Sequence, residues 1–332
     1  MSKAALVLLM CAALSFGTVA DAAAEEGPTI SIAFVGDIML ADTPGKVIKQ
    51  GRDPIAPFAS LLSTADIRVG NLECVVAVKG KPELGKPFTF RAHPRTLKVL
   101  KRHFDVVSLA NNHSGDFGPI AFNEMLDRLD KQGIAYFGGG KNLAQAHTPL
   151  IVERNGLRVA FLGYNEFFPR SFEADYDKPG IAWSEDEQVH LDITNARSRY
   201  RADLVIPVMH WGWEHEPLAS PRQRQLARLM IDAGADAVVG GHPHVTQDTE
   251  TYRGKPIIYS LGNFLFDGFS DEENNTGWLL KMELTRQGVT QWRTYVARID
   301  KEGIPHPARQ IKGNCWRRGW EKADVCGLNP DR

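Results

Sequence analysis

The feature that most constrains this chain is a regular alternation between short apolar runs and helical patterns. The runs are rich in β-branched and aromatic residues and cover residues 30–35, 106–109, 157–162, 204–209, 237–239 and 257–260. Between two of them, Phe122, Met125, Leu126 and Leu129 keep the i, i+3, i+4, i+7 spacing of one helix face. Because strands that alternate with helices usually pair in parallel, this pattern predicts an α/β fold.

A second helical pattern carries its own start and stop signals. Its apolar face is formed by Leu226, Leu229, Met230 and Ala233. Ser220 can cap its start, Pro221 suits the first turn, and Gly234 suits the end. The sequence therefore predicts a helix between Ser220 and Gly234.

Polar clusters follow the apolar runs directly, at their C-terminal ends. They are Gly36-Asp37, Asn111-Asn112-His113, His210, Gly240-Gly241-His242-Pro243-His244 and Leu261-Gly262-Asn263-Phe264. In open α/β sheets the loops at the carboxyl ends of the strands line the ligand crevice. We therefore expect these clusters to converge in space, although they are far apart in the sequence.

The side chains in these clusters are typical of a metal site. His242 and His244 follow two glycines in a turn, which can aim both imidazoles at one point. Asp37, Glu73 and Asn112 add oxygen ligands. A mixed set of nitrogen and oxygen ligands suits one or two divalent ions of Mn, Zn or Fe and suits calcium poorly. Each residue alone has an ordinary structural explanation, so the prediction depends on the combination.

Six ordered motifs resemble a known family. They are Gly36-Asp37-Ile38-Met39-Leu40, Asn71-Leu72-Glu73, Ala110-Asn111-Asn112-His113 with Asp116 and Gly118, His210-Trp211-Gly212 with Glu214, Gly241-His242-Pro243-His244-Val245, and Tyr259-Ser260-Leu261-Gly262-Asn263-Phe264. Together they resemble the poly-gamma-glutamate capsule synthesis protein CapA family, a branch of the calcineurin-like metallophosphoesterase superfamily. The resemblance spans about residues 30–267.

The resemblance implies an architecture and a set of roles. The implied fold is a four-layer α/β/β/α sandwich, in which two mixed sheets pack face to face and helices flank them. The implied metal ligands are Asp37, Glu73, Asn112, His210, His242 and His244, with Glu73 in the bridging position. The implied catalytic residues are His113 and Asp116. Two close metal ions would activate a water and polarise the bond that breaks.

One position departs from the superfamily pattern. The residue two positions after the first aspartate is usually a histidine, and here it is Met39, a poor ligand for a hard metal. The first metal site is therefore one ligand short, and Asn71 is a neighbour that could complete it. A hydrolase that uses one metal ion and cleaves a bond other than a phosphodiester is therefore an alternative.

Five residues are candidates for substrate binding. Arg170 follows the run at residues 157–162 in a long loop with Phe167, Phe168, Tyr176 and Trp183, and its guanidinium could pair with a carboxylate. Packing of those aromatic rings over the sheet is an equally good reading of the loop. The other four candidates are Asn71, Arg91, Glu214 and Asn263.

The ends of the chain differ from its centre. A secretory signal is predicted at residues 1–24. It has Lys3 near its start, continues with an uncharged stretch over residues 4–20 and ends near the small residues Ala20-Asp21-Ala22. An uncleaved anchor is the alternative, and it would be the chain's one contact with a membrane. We expect the domain at residues 28–300, a C-terminal surface extension at 301–332, and a periplasmic or extracellular location. In that oxidising compartment we expect a Cys315–Cys326 disulfide and a buried free thiol at Cys74.

Three functions are consistent with the sequence, and the balance of charged residues argues against a fourth, nucleic-acid binding. The 39 Lys and Arg residues balance 40 Asp and Glu, so nucleic-acid binding is not expected. The leading hypothesis is an exported metal-dependent hydrolase that cleaves an anionic polymer or peptide in capsule or poly-γ-glutamate synthesis or processing. The alternatives are a non-catalytic accessory subunit that works with capsule synthesis and export proteins, and a phosphoesterase. The four histidines favour catalysis, and Met39 disfavours the phosphoesterase.

Overall fold

A computed structural model describes residues 27–168, 170 and 172–326 of the chain. The predicted signal peptide at residues 1–24 lies outside them. Numbered along the chain, the first ten strands are β1 (Thr29–Ile38), β2 (Ile67–Leu72), β3 (Val75–Val76), β4 (Arg91–Ala92), β5 (Val106–Ser108), β6 (Ala135–Phe137), β7 (Gly139–Gly140), β8 (Leu150–Arg154), β9 (Leu157–Asn165) and β10 (Gly180–Ile181). The next ten are β11 (Leu204–His210), β12 (Val238–Gly241), β13 (Thr249–Tyr252), β14 (Lys255–Ile258), β15 (Asn263–Leu265), β16 (Thr276–Thr285), β17 (Gly288–Ile299), β18 (Pro305–Pro307), β19 (Asn314–Arg317) and β20 (Asp324–Val325).

The helices connect these strands. They are α1 (Asp42–Lys49), α2 (Ala59–Leu62), α3 (Leu97–His103), α4 (Gly118–Gln132), α5 (Leu143–Ala146), α6 (Asp186–Ser198) and α7 (Pro221–Ala233), with short 3₁₀ turns at Ala56–Phe58 and Pro94–Thr96. Both predicted helices are present as α4 and α7. Ser220 caps α7, and Gly234 ends it in a left-handed conformation. Within the described residues, no helix is both long and apolar enough to cross a membrane.

Two large mixed sheets form the centre of the molecule. The first has the order β20-β19-β17-β16-β1-β2-β5-β6, and the second has the order β13-β14-β12-β11-β9-β8. In the first sheet β1, β2, β5 and β6 run parallel to one another, β16 pairs with β1 in antiparallel fashion, and β16, β17, β19 and β20 continue the sheet with antiparallel pairing. In the second, the four central strands are parallel and both edge strands are antiparallel. All six predicted apolar runs lie in or at the ends of these strands.

The alternation of side chains along the strands builds three apolar layers. On β1, Ile30, Ile32 and Phe34 enter a core between the sheets, whereas Ala33 and Val35 enter a core under the helices of the first sheet. β9 and β11 divide their side chains between the same central core and a third core under α6 and α7. The Phe34 and Phe161 rings meet across the sheets with centroids 6.2 Å apart. The predicted four-layer α/β/β/α sandwich is therefore confirmed.

The segment after residue 300 continues the first sheet. β18 and β19 both pair with β17, and Cys315 of β19 forms the predicted disulfide with Cys326. Trp316 is 0% exposed and belongs to the core between the sheets. The predicted surface extension thus contributes a large apolar side chain to the interior. Cys74 is buried and free, as predicted.

Candidate metal centre

The strand ends of both sheets converge on one buried cluster. Asp37 is the penultimate residue of β1, Glu73 follows β2, and Asn112 follows β5 in the first sheet. His210 ends β11, and the turn after β12 carries His242 and His244 in the second sheet. The six predicted metal ligands, which span more than half of the sequence, therefore meet where the two sheets face each other. All except the half-buried Asn112 are buried.

Glycines allow the backbone to close around this cluster. A Cβ on Gly36 would lie 1.8 Å from the carbonyl oxygen of Gly262, so β1 can approach that turn only without a side chain. A Cβ on Gly241 would lie 3.0 Å from the Asp37 carboxylate. The two sheets can therefore bring Asp37 and the histidine turn together.

The backbone of the histidine turn is unusual. His242 has a φ of 94° and His244 a φ of 58°, in the left-handed region that favours glycine. Non-glycine residues held in this region cost free energy and cluster at functional sites. The turn directs both imidazoles into the cluster, since the two ring centroids lie 5.9 Å apart.

The cluster contains two groups of potential ligand atoms. One atom each from Glu73, His242 and His244 lie within 4.8 Å of one another, and so do atoms from Asp37, Glu73 and His210. The two groups share Glu73, so this carboxylate occupies a bridging position between them. Asn112 joins the second group, because its Oδ1 lies 2.8 Å from His210 Nε2.

Three buried atoms in the cluster have no hydrogen-bond partner. They are Oε1 and Oε2 of Glu73 and Nε2 of His242. Buried polar groups are normally satisfied, and a buried carboxylate without a donor is especially costly. A divalent cation would satisfy all three atoms at once. The residues present therefore fit a metal ion of the kind the sequence predicts.

The electrostatics of the cluster agree with this fit. Burial raises the pKa of Glu73 well above its usual range, and the negative charge of Asp37 adds to the rise. Burial lowers the pKa of His210 and of His242 well below the usual range, and neighbouring histidine charges add to the fall. A lowered pKa favours the neutral form of the imidazole, which is the form that binds metal. A cation would also favour the charged form of Glu73.

Asp37 and His244 form a separate pair. Their carboxylate and Nδ1 atoms lie 3.4 Å apart. Burial lowers the pKa of His244, but the hydrogen bond and charge of Asp37 outweigh burial and hold it above the usual range. The same contact outweighs the effect of burial on Asp37, whose pKa lies below its usual value.

Buried asparagines hold the candidate ligands in place. Asn71 Nδ2 donates to Asp37 Oδ1 at 2.8 Å and lies 3.3 Å from His210 Nδ1. The Asn71 oxygen in turn accepts from Asn111 at 2.9 Å. Asn263 Oδ1 lies 2.8 Å from His244 Nδ1. Asn71 and Asn263, predicted to bind substrate, are thus placed behind the ligands, where such contacts fix ring orientation.

The two predicted catalytic residues form a dyad beside the cluster. His113 Nδ1 lies 2.8 Å from Asp116 Oδ2, and both side chains are buried. Lys86 Nζ donates to Asp116 Oδ1 and to the Asn112 carbonyl oxygen, each at 2.5 Å. Burial lowers the pKa of His113 more than the Asp116 charge raises it. Because Asp116 engages Nδ1, Nε2 is the nitrogen that can exchange a proton with a substrate.

The other predicted substrate contacts lie outside the cluster. Arg91 is exposed and lies over the Phe117 ring at 4.3 Å. Arg170 lies over the Trp183 ring and pairs with Glu173 and Glu185. Glu214 is exposed in the loop after β11, and its charge helps to raise the pKa of Glu73 and of His244. Their role in binding stays a prediction.

Met39 takes no part in the cluster. It is 1% exposed and packs in the apolar core beneath the helices of the first sheet, where its sulfur accepts from the Ala41 amide at 3.2 Å. The chain therefore has no ligand at the position where the superfamily pattern has histidine. Asn71 lies next to Asp37 on the neighbouring strand, but its oxygen is already used by Asn111.

Aromatic rings surround the candidate ligands, and the sequence analysis identified only one of them. The ring of Phe167, in the loop after β9, is tilted against the His242 ring, with centroids 4.0 Å apart. Phe90 lies 4.4 Å from the His113 ring, and Phe266 and Phe269 lie 5.0 and 5.4 Å from the His244 ring. The available signal was the position of these residues in loops next to the motifs. Such rings exclude water and strengthen the electrostatics within the cluster.

Fold and site together define a four-layer α/β/β/α protein with a candidate divalent-metal centre at the carboxyl ends of its strands. The model of the bacterial capsule synthesis protein PGA_cap family matches residues 31–268. The chain belongs to this family.

Named relatives agree with this assignment. The PGA biosynthesis protein CapA of Bacillus subtilis is 34% identical over 288 residues, which cover 85% of this chain and 74% of that protein. The capsule biosynthesis protein CapA of Bacillus anthracis is 34% identical over 325 residues, which cover 91% and 78%. A "probable polyglutamine synthesis accessory protein" of Mycobacterium tuberculosis is 30% identical and covers 69% and 63%.

Proposed function

We propose that this chain is an exported metal-dependent hydrolase that acts on a γ-linked glutamate polymer or a related envelope polymer. The observation that carries the proposal is the set of three buried atoms on Glu73 and His242 that have no hydrogen-bond partner, within a cluster of imidazoles and carboxylates. The names of the Bacillus relatives, a PGA biosynthesis protein and a capsule biosynthesis protein, support this polymer class. Export is supported by the signal pattern at residues 1–24.

A divalent ion supplies charge stabilisation and a reactive water at neutral pH when it is bound in such a site. Asp37, Glu73, His210, His242 and His244 would hold it, with Asn112 as a further ligand. The phenylalanine rings around these ligands would keep bulk water out.

His113 is the proposed proton donor. Its Nδ1 is engaged by Asp116, which fixes the ring and its tautomer. In the neutral ring Nε2 carries no proton, so it would first take one from the attacking water and would then pass it to the amine that leaves when the amide bond breaks. Lys86 and the Phe90 amide both donate to Asp116, so that carboxylate is held on three sides. Such positioned acids contribute about 10²–10⁴-fold to a reaction rate.

The test is a time course of poly-γ-glutamate chain length. The purified chain is loaded with Mn²⁺ or Zn²⁺, and a chelated sample is followed in parallel. We expect the polymer to shorten with metal and to keep its length with chelator. Unchanged polymer with stoichiometrically bound metal would contradict hydrolysis of this substrate.

A non-catalytic accessory role is the second candidate. It is favoured by the name of the Mycobacterium tuberculosis relative, a probable polyglutamine synthesis accessory protein. Bound metal without polymer shortening, together with retention of the chain by capsule synthesis or export proteins, would support this role. The phosphoesterase alternative is weakened by the position of Met39 in the core, and a panel of phosphoesters tests it in the same metal-loaded preparation.

A further inference from the structure

Asn165 presents an unpartnered oxygen at the end of a central strand. It is the last residue of β9, and 2% of its surface is exposed. Its Nδ2 donates to the Phe167 carbonyl oxygen at 3.2 Å, which fixes the orientation of the amide group. Its Oδ1 is buried and has no hydrogen-bond partner. A buried acceptor without a donor is costly, so its retention calls for an explanation.

The position of Asn165 connects it to the candidate metal centre. β9 and β11 are parallel neighbours, and Asn165 is paired in register with His210. Residues paired in this way lie side by side on the same face of a sheet. That face is the one that Leu157 and Phe161 share with the core between the sheets. The side chain of Asn165 is therefore next to a candidate metal ligand.

The backbone around Asn165 is held on both sides. Its own N–H donates to Ala182 O at 2.9 Å, and the N–H of Glu166 donates to His210 O at 2.8 Å. The ring of Phe167, whose carbonyl orients the amide, packs 4.0 Å from His242. Oδ1 is thus a fixed hydrogen-bond acceptor beside His210, and it can only receive a donor.

We propose that Asn165 is a substrate-binding residue whose Oδ1 accepts a hydrogen bond from the N–H of an amide linkage at the candidate metal centre. This inference rests on the proposed function, which it makes more specific. An ester linkage has the same shape but lacks the donor, so it would leave the oxygen unpartnered. Sites built to bind a hydrogen-bonding group discriminate strongly against analogues that lack it. Asn165 would therefore select amide-linked over ester-linked polymers.

The first experiment changes the ligand and leaves the protein intact. The metal-loaded chain is titrated by calorimetry with a γ-linked glutamate oligomer and with the oligomer in which one central amide is replaced by an ester. We expect the amide oligomer to bind about tenfold more tightly, the value of one good hydrogen bond. Equal dissociation constants would overturn the inference.

The second experiment removes the acceptor. Asn165→Leu should abolish the preference for the amide oligomer, while ester binding and the metal content per chain stay unchanged. Asn123→Leu is the matched control, because Asn123 Oδ1 is also buried and unpartnered but lies on α4. This control should keep the preference. If Asn165→Leu keeps the preference, or loses metal, the assignment is wrong.

The outcomes separate this inference from the proposed function. Metal-dependent shortening of the polymer with no amide preference would contradict the role of Asn165 and leave the hydrolase standing. Amide-selective binding without shortening would contradict hydrolysis and support the contact. No binding of either oligomer would overturn both. Should Asn165→Leu fail to fold, the comparison of the two oligomers on the unaltered chain still decides the question.

Discussion

The side chains of the candidate centre differ in whether all of their polar atoms have hydrogen-bond partners. His113 is fully engaged on Nδ1 by Asp116, and His244 is held by Asp37 and Asn263. His242 and Glu73 instead keep atoms without partners in a buried position. We therefore expect His242 and Glu73 to bind metal most directly and His113 to act on substrate. Asp37 and Asn263 orient the ring of His244 as a further ligand.

The histidines should therefore respond differently to substitution. His242→Ala should reduce bound metal, because it removes an unpartnered nitrogen from the ligand cluster. His113→Ala should keep the metal and lower the polymer-shortening rate by about 10²–10⁴-fold, the contribution of a general acid. Elemental analysis of the purified chains and the chain-length assay measure the two effects. His190→Ala, at an exposed position on α6, is the control and should change neither. Equal metal loss in the His113 and His242 variants would contradict these roles.

We expect Glu73 to lower the stability of the metal-free protein and to be retained because it binds the metal. In the presence of chelator, Glu73→Gln should raise the free energy of unfolding by about 1–3 kcal/mol, because it removes a buried carboxylate whose oxygens lack donors. With metal present the variant should be less stable than the unaltered chain, since it has lost a charged ligand. Denaturant unfolding with and without metal measures both values. Glu83→Gln, at an exposed position, should leave both unchanged. A less stable variant in chelator would show that the carboxylate has partners in solution.

The secondary-structure elements were predictable where their signals were local. The runs that became β1, β5, β9, β11, β12 and β14 carry β-branched residues, and their polar ends indicated where the site would form. The predicted run at residues 157–162 is shorter than the strand, and the next residue, Gly163, is of a type that is depleted in strands. β9 continues to Asn165, and a Cβ on Gly163 would lie 2.9 Å from the Phe137 ring. Asn165 could not be identified from the sequence, because the contact that requires glycine at position 163 is made by Phe137 in a distant strand.

The approach of aromatic rings to the ligands was also beyond prediction from sequence. Phe90 precedes the short strand β4, and Phe266 follows β15, so neither lies in the predicted runs. Each is brought to a histidine by contacts between segments far apart in the chain. The turn at His242 and His244 was predicted from its glycines and proline, but its left-handed backbone was not.

The N-terminal cap of α7 gives a prediction at the level of one element. The Ser220 hydroxyl accepts a hydrogen bond from the backbone N–H of Gln223 at 3.2 Å. The side-chain oxygen of Gln223 accepts one from the backbone N–H of Ser220 at 2.9 Å. Ser220→Ala should lower the free energy of unfolding by about 1 kcal/mol. Denaturant unfolding measures this loss, and metal content should not change. Ser198→Ala, near the exposed C-terminal end of α6, is the control and should cost less than half as much. An equal loss in the two variants would argue against the capping box.

The two sheets of the molecule are joined by shared interior side chains and by the site itself. Asp37, Glu73 and Asn112 come from the first sheet, and His210, His242 and His244 come from the second. A metal ion held by both groups would oppose any sliding of one sheet over the other. Since ligands that bind only the folded state stabilise it by mass action, the unfolding midpoint should rise with metal concentration.

The contribution of the C-terminal segment can be measured in the same way. Trp316 lies in the core between the sheets, whereas Trp320 is 41% exposed. Trp316→Ala should lower the free energy of unfolding by about 3–5 kcal/mol, the usual cost of removing a buried aromatic side chain. Trp320→Ala is the matched control, and we expect a loss below about 1 kcal/mol. Similar small losses in the two variants would mean that residues 301–326 fold separately from the sandwich.

The left-handed turn has a consequence for how such sequences diverge. Holding His242 and His244 at positive φ costs roughly 1–3 kcal/mol each, and glycine would remove that cost. Selection for an imidazole is the force that opposes this relief. A duplicated gene copy freed from metal binding should therefore drift toward glycine or asparagine at these two positions before its apolar interior changes. Glycine at both positions, over an intact interior, would mark such a copy as a scaffold that has lost its metal.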